Sequence, residues 1–172
     1  MHGKADRQVT IHYLEMNARV ALIEKPDDGR LEIRECEEKH YQYNRFLYEL
    51  VGADWSWKEK RHWSDEQWQR YAEADDLRTW VAYVRGTPAG YFELQQQADK
   101  VVELAYFGLA PQFIGQGLGG ILLTRAIATA WDWGAARVWL HTCSLDHPHA
   151  LDNYLARGMQ LTRSETVPYR DR

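Results

Sequence analysis

The sequence predicts an α+β domain, with a mixed, mostly antiparallel central sheet flanked by helices. Three observations carry this reading. Two β-like runs, 78–85 and 90–96, are joined by Gly86-Thr87-Pro88-Ala89 and lead through Ala98-Asp99-Lys100 into a third apolar run from Val101, which makes an antiparallel meander. A glycine-rich stretch then opens into a helix whose apolar positions Leu118, Ile121, Leu122, Ala126 and Ala130 form a stripe. A strand at 137–142 and a short helix at about 148–157 close the order strand, helix, strand, helix.

Taken in order, residues 9–16 alternate Val9, Ile11 and Tyr13 with Thr10 and His12, the pattern of a half-buried strand. Pro26-Asp27-Asp28-Gly29 is a turn, and Leu31 to Glu35 has the composition of another strand. Between 41 and 51, Tyr43, Phe46, Leu47 and Leu50 recur at helical spacing, with Gly52 as the stop. The stretch 55–63 has no period. Ser64 with Gln67 three positions on is a capping-box signature, and it starts a helix predicted to run to about Ala74. The helix after the glycines is expected to stop near Gly134, and Gly158 to end the last helix before a final strand or pair of strands.

A chain of 172 residues is read as one domain, 1–172, large enough to bury a substantial core. Within it, about 8–100 supplies the first strands, helices and meander, and about 101–159 the glycine stretch with its flanking strands and helices. Lys and Arg total 21 against 25 Asp and Glu, so the chain lacks the basic excess of proteins that bind nucleic acid or anionic membranes, and neither partner is expected. The two cysteines, Cys36 and Cys143, are far apart and are expected as free, buried thiols of a reducing compartment. Residues 1–7 are polar and charged, and no apolar run approaches membrane-spanning length. A soluble, cytoplasmic protein is the expectation.

The chemistry centres on Gly115, Gly117, Gly119 and Gly120, which come after a strand and open a helix. Glycine inside a helix costs about 1 kcal/mol relative to alanine, so the last two need a reason. Bare amides at a helix start, with the partial positive charge of the dipole, suit an anion such as a pyrophosphate. The Gly-Lys-Ser/Thr of a P-loop is absent, because Gly119-Gly120 is followed by Ile121. Gly115 to Gly120 formally fits the G-x-G-x-x-G dinucleotide pattern. Ala110 to Ile114, however, separate it from the strand, and the next strand ends without the acid that pattern requires.

A third pattern, Q/R-x-x-G-x-G/A, is met in full by Gln112-Phe113-Ile114-Gly115-Gln116-Gly117, after a strand ending at Leu109 and before Leu118-Gly119-Gly120. Downstream, Ala150-x-x-x-Tyr154-x-x-x-Gly158-Met159 resembles A-x-x-L-Y-x-x-x-G-F. Together, in this order, they resemble the two acyl-CoA motifs of the GNAT superfamily of N-acyltransferases. The resemblance is close over about 101–159 and only architectural before it. It implies a sheet splayed at the first motif's strand and acetyl-CoA as co-substrate. It implies that backbone near Leu109 meets the pantetheine arm, and that amides from Phe113 through Ile114, Gly115, Gln116, Gly117, Leu118 and Gly119 to Gly120 hold the pyrophosphate, with Gln112 beginning the loop. The acceptor would be a primary amine on a small molecule or a peptide, and homodimers are common in the family.

Transfer by direct attack on the thioester needs a base for the amine and an acid for the departing thiolate. Glu103 lies on the motif strand an even number of positions before Leu109, so simple alternation puts both on one face. The resemblance implies a base there, and the apolar neighbours Val102 and Leu104 suggest a desolvated carboxylate. Otherwise Glu103 is an exposed strand residue paired with a cation across the sheet. The resemblance likewise makes Tyr154 the acid; the alternative is a core tyrosine. The asparagine common before the second motif is His147 here, and Asn153 either replaces it or is exposed. His141, Cys143, Asp146, His147 and His149 fit no zinc spacing, so no metal is expected; His141 is read as a core histidine or an aid to the base. Trp55, Trp57, Trp63 and Trp68 either cradle a cationic amine or pack helices on the sheet. Two further readings remain: a non-catalytic acyl-CoA-binding or sensing domain, and an oxidoreductase using the glycines for a dinucleotide.

Overall fold

The computed structural model describes residues 7–55 and 57–169. The polar start up to Asp6, and Ser56 within the aperiodic stretch, lie outside the described residues. Among those described, the chain forms seven strands and four α-helices: β1 (Gln8–Met16), β2 (Glu32–Glu35), α1 (Tyr41–Gly52), α2 (Asp65–Ala72), β3 (Leu77–Val84), β4 (Thr87–Gln96), β5 (Val101–Leu109), α3 (Leu118–Asp132), β6 (Arg137–Cys143), α4 (Ala150–Ala156) and β7 (Gln160–Pro168). The strands make one sheet in the order β2-β3-β4-β5-β6-β1-β7. Every neighbouring pair is antiparallel except β5 and β6. This is the α+β architecture the sequence predicts.

Local signals hold at most positions. Gln67 N–H donates to Ser64 Oγ (3.2 Å) and Ser64 N–H to Gln67 Oε1 (2.8 Å), closing the capping box of α2. The β3–β4 turn is shorter than expected. It is Arg85-Gly86, and Pro88 already lies in β4 beside a register shift, where a residue without an N–H breaks no ladder. The last helix begins at Ala150 rather than Pro148, and a single strand comes after Met159.

The helices cover opposite faces. On one side α3 buries Leu118, Ile121, Leu122, Leu123, Ala126, Ile127 and Ala130 against Trp80, Phe92, Leu94, Leu104 and Val138. At about 1.5–3 kcal/mol for each large apolar side chain, this contact dominates the core. On the other side Leu47 and Val51 of α1 meet Val81 and Tyr91, the residues that alternate with those facing α3.

Two irregularities position the site. β5 and β6 pair only over Val101–Glu103 with Arg137–Trp139, so beyond Glu103 the strands separate and the facing edge of β5 is left unpaired. Between Glu93/Leu94 the β4–β5 register also shifts, leaving Ala105 as an extra residue in β5. That bulge overturns the simple alternation. Glu103 pairs with Gln95 and Tyr106 with Glu93, on the α1 side, whereas Leu109 pairs with Gly90 and packs on the α3 side. Glu103 and Leu109 therefore point to opposite faces.

β1 lies between β6 and β7, whereas β2 is the opposite edge. The strap between them, residues 17–31, accordingly runs over α3 and α4. Ile23 N–H donates to Arg157 O (2.9 Å) and Lys25 N–H to Thr124 Oγ1 (2.9 Å).

Candidate active site

A cleft of about 1200 Å³ runs along the gap between β5 and β6 from one face of the sheet to the other. Its α3 end is lined by Leu109, Ile114, Gly115, Gly119, Gly120 and Asn153, and its α1 end by Trp57, Lys60, Tyr71, Glu103 and Tyr106, with Tyr154 also on its wall. Phe113 and Leu118 turn their side chains into the core, so these two predicted positions offer only backbone, and Gln112, Gln116 and Gly117 lie just outside the lining.

At the glycines the backbone leaves strand geometry through a 3-10 turn, Pro111–Phe113. Gly115 and Gly117 have φ of +83° and +77°, the left-handed region that a side chain disfavours. Gly117 is the N-cap of α3 and supplies no capping side chain, nor is there an acid in the first turn, so neither cap nor first turn gives the first amides of the helix a side-chain anion. Gly120 has a different reason. A Cβ there would lie 2.7 Å from Lys25 Cδ and 2.8 Å from Arg157 Nη1, whereas one at Gly119 would make only ordinary contacts.

Those neighbours escaped the sequence reading. Lys25 Nζ donates to Gly117 O (2.6 Å) and Arg30 Nη1 to Gln116 O (2.7 Å), so the strap sets two cations on the glycine turn. Arg157 Nε and Nη1 are buried there with no hydrogen-bond partner among the described residues. No local motif marks Lys25 or Arg30; only the path of the strap brings them in.

Across the sheet, Glu103 has its side chain 13 % exposed, and burial raises its pKa above the ordinary carboxylate value. His141 Nε2 is 3.9 Å from its Oε1, and Gln97 Nε2 donates to its Oε2 (3.0 Å) while Gln97 Oε1 accepts from Trp139 Nε1 (3.0 Å). It is thus not an exposed glutamate, and no Lys or Arg pairs with it among the described residues. His141, half exposed, is not a core histidine. Behind them Glu93 is fully buried. It accepts from Asn44 Nδ2 (2.9 Å) and Tyr71 OH (2.5 Å), and burial raises its pKa too. Tyr154 is buried against Phe107, at 6.1 Å between ring centroids, and burial raises its pKa, so the phenol stays protonated. Its hydroxyl has no protein partner among the described residues. Of the tryptophans, Trp55 and Trp57 line the cleft, whereas Trp68 is core.

Bare helix-start amides, unpaired strand backbone and three cations on one side, and a desolvated carboxylate on the other, suit a phosphate-bearing donor reaching through the sheet. Known proteins resemble the chain in sequence and in fold. Uncharacterized N-acetyltransferases of Mycobacterium bovis and Mycobacterium tuberculosis are 44% identical over 55 residues, 32% of this chain and 35% of theirs. The matched stretch thus spans about a third of those curated relatives. A GCN5-related N-acetyltransferase from Sphaerobacter thermophilus shares the fold, with a TM-score of 0.71 at 13% identity over 91% of this chain and 49% of that one. So does AAC(6′)-Iy in complex with the bisubstrate analog CoA-S-monomethyl-acetylneamine, with a TM-score of 0.59 at 19% identity over 83% of this chain and 98% of that one. The model of the acetyltransferase (GNAT) family matches residues 44–159, most of the chain, and the protein belongs to that family.

Proposed function

We propose that the protein transfers an acetyl group from acetyl-CoA to a primary amine by direct attack of the amine on the thioester. The observation that carries this is the cleft through the β5/β6 gap, with the glycine turn at one end and Glu103 at the other. The site fits the donor: the first turn of α3 presents uncapped amides, and Arg157 holds two buried donors without partners, among the described residues, beside Gly120. Amides from Phe113 to Gly120, with Lys25, Arg30 and Arg157 around them, would hold the phosphates. The unpaired edge of β5 near Leu109 would take the pantetheine amides as an added strand, and Asn153 would line that arm. Bound acetyl-CoA supplies the activated acyl group.

The remaining chemistry belongs to the chain. Glu103, held by Gln97 and close to His141, accepts the proton of the acceptor ammonium, and its raised pKa suits a base working near neutrality. Tyr154, protonated and free to donate, gives a proton to the departing thiolate. Purified protein tests the reading by thermal shift with acetyl-CoA, CoA and NADH, then by thiol release with a panel of amines and peptides. A shift of about 5–10 °C with acetyl-CoA and none with NADH is expected for a saturating ligand. No shift with any CoA species, or no turnover across the panel, would remove the proposal.

A further inference from the structure

The cleft already contains an amine. Lys60, in the aperiodic stretch between α1 and α2, reaches from the α1-side wall, and its Nζ donates to Tyr106 OH at 3.0 Å. The same Nζ lies 4.5 Å from the ring centroids of Trp63 and Tyr71 and 4.6 Å from that of Tyr106, an aromatic cage around a primary ammonium. Tyr106 is on β5, and the bulge at Ala105 is what turns it to the same face as Glu103. Lys60 therefore meets the strand that carries the base, on the side of the sheet where an acceptor amine has to arrive.

The other described lysines are placed differently. Lys25 is on the glycine turn, Lys39 donates to Ala74 O and Leu77 O between α2 and β3, and Lys100 is exposed in the turn before β5. Lys58 also lines the cleft but donates to Tyr169 OH (3.0 Å). We propose that Lys60 is an acceptor of the protein's own reaction, and that its ε-amine is acetylated within the same chain. The inference rests on the acetyltransferase reading above.

The step balances without another reactant. The Lys60 ammonium gives one proton to Glu103, and its nitrogen forms the bond to the thioester carbonyl carbon. The carbon–sulfur bond breaks, CoA leaves as a thiolate that takes a proton from Tyr154, and the second nitrogen proton is lost to solvent as the amide forms. Burial favours the neutral amine, which is the nucleophile, and lowers the pKa of Lys60 despite the opposing charges of Glu93, Glu59 and Glu103. Tethering adds the advantage of an intramolecular reaction. The product, a neutral amide, also removes a cation from a half-buried place.

The test incubates the full chain with acetyl-CoA and no acceptor, and tracks intact mass and peptide mapping over a range of protein concentrations. Acetyl-CoA binding is measured separately by thermal shift. The expected result is one acetyl group per chain, on Lys60, with a first-order rate independent of protein concentration. That label is lost in Lys60→Arg, kept in Lys100→Arg, and slowed about a hundredfold or more in Glu103→Gln. Labelling that rises with protein concentration, label spread over exposed lysines such as Lys100, or an unmodified Lys60 in protein that binds acetyl-CoA and acetylates an added amine would each overturn the proposal alone. Failure to bind acetyl-CoA would overturn it together with the acetyltransferase reading.

Discussion

His141 Nε2 faces Glu103 Oε1 at 3.9 Å across the gap where β5 and β6 part. Burial pushes the Glu103 carboxyl up, and the neighbouring His141 offsets that only in part. The base form of Glu103 is lost as pH falls, and because its pKa is raised this loss comes above the ordinary carboxylate range. Activity should therefore fall on the acid side along a limb set by Glu103. Glu103→Gln should lower kcat about 10²- to 10⁴-fold at neutral pH, abolish that limb, and leave the acetyl-CoA thermal shift in place. Rates and a pH profile equal to those of the unaltered protein would take Glu103 out of the mechanism.

Tyr154→Phe keeps the ring that packs on Phe107 and removes only the hydroxyl. With no partner lost among the described residues, thermal stability should change by less than about 1 kcal/mol. The expected signature is a lower kcat with little change in CoA affinity, read by steady-state kinetics beside calorimetric binding. A large stability loss with unchanged kcat would make Tyr154 a core residue.

The two packed glycines on α3 and after α4 should behave differently. At Gly120 the atoms that meet a new Cβ, Lys25 Cδ and Arg157 Nη1, belong to long side chains rather than backbone, and alanine is the better helix former. Gly120→Ala should keep its melting temperature while acetyl-CoA binds more weakly. At Gly158, φ is +96° and a Cβ would lie 2.1 Å from the backbone oxygen of Ala21 in the strap. Gly158→Ala should cost about 1–3 kcal/mol in denaturant unfolding. Equal stability of the two variants would contradict this packing.

Glu93 gives a pH test separate from catalysis. Its folded pKa is raised by burial, so between the ordinary carboxylate value and the folded one the native state binds more protons than the unfolded state. Stability is complete below that window and declines as pH rises through it. Glu93→Gln should flatten the decline, giving a melting temperature less dependent on pH from about 4.5 upward. An unchanged slope would mean that another group sets it.

The glycine turn, the capping box and the strand–helix order after Val101 were legible because each depends on neighbours in sequence. The opposition of Glu103 and Leu109 was not, since the Ala105 bulge arises from register against β4 and leaves no mark in the composition of β5. Nor were Lys25, Arg30, Lys60 and Glu93, whose places depend on contacts between distant segments. The first strand was foreseen, but its neighbours were not, because alternation identifies a half-buried strand without naming what it pairs with.

Those neighbours govern how the molecule forms. β1 pairs only with β6 and β7 among the described residues, and Thr10 Oγ1 meets Thr166 Oγ1 across 156 positions of chain. Such closure must be completed before any of its contacts reward it, which slows folding. On the ribosome, the free edge of β6 can be covered only after β6 itself has emerged and β1, alone or already paired with β7, returns to it. One wall of the cleft therefore depends on that long-range closure, and until it is made the edge of β6 is open to pairing with another chain.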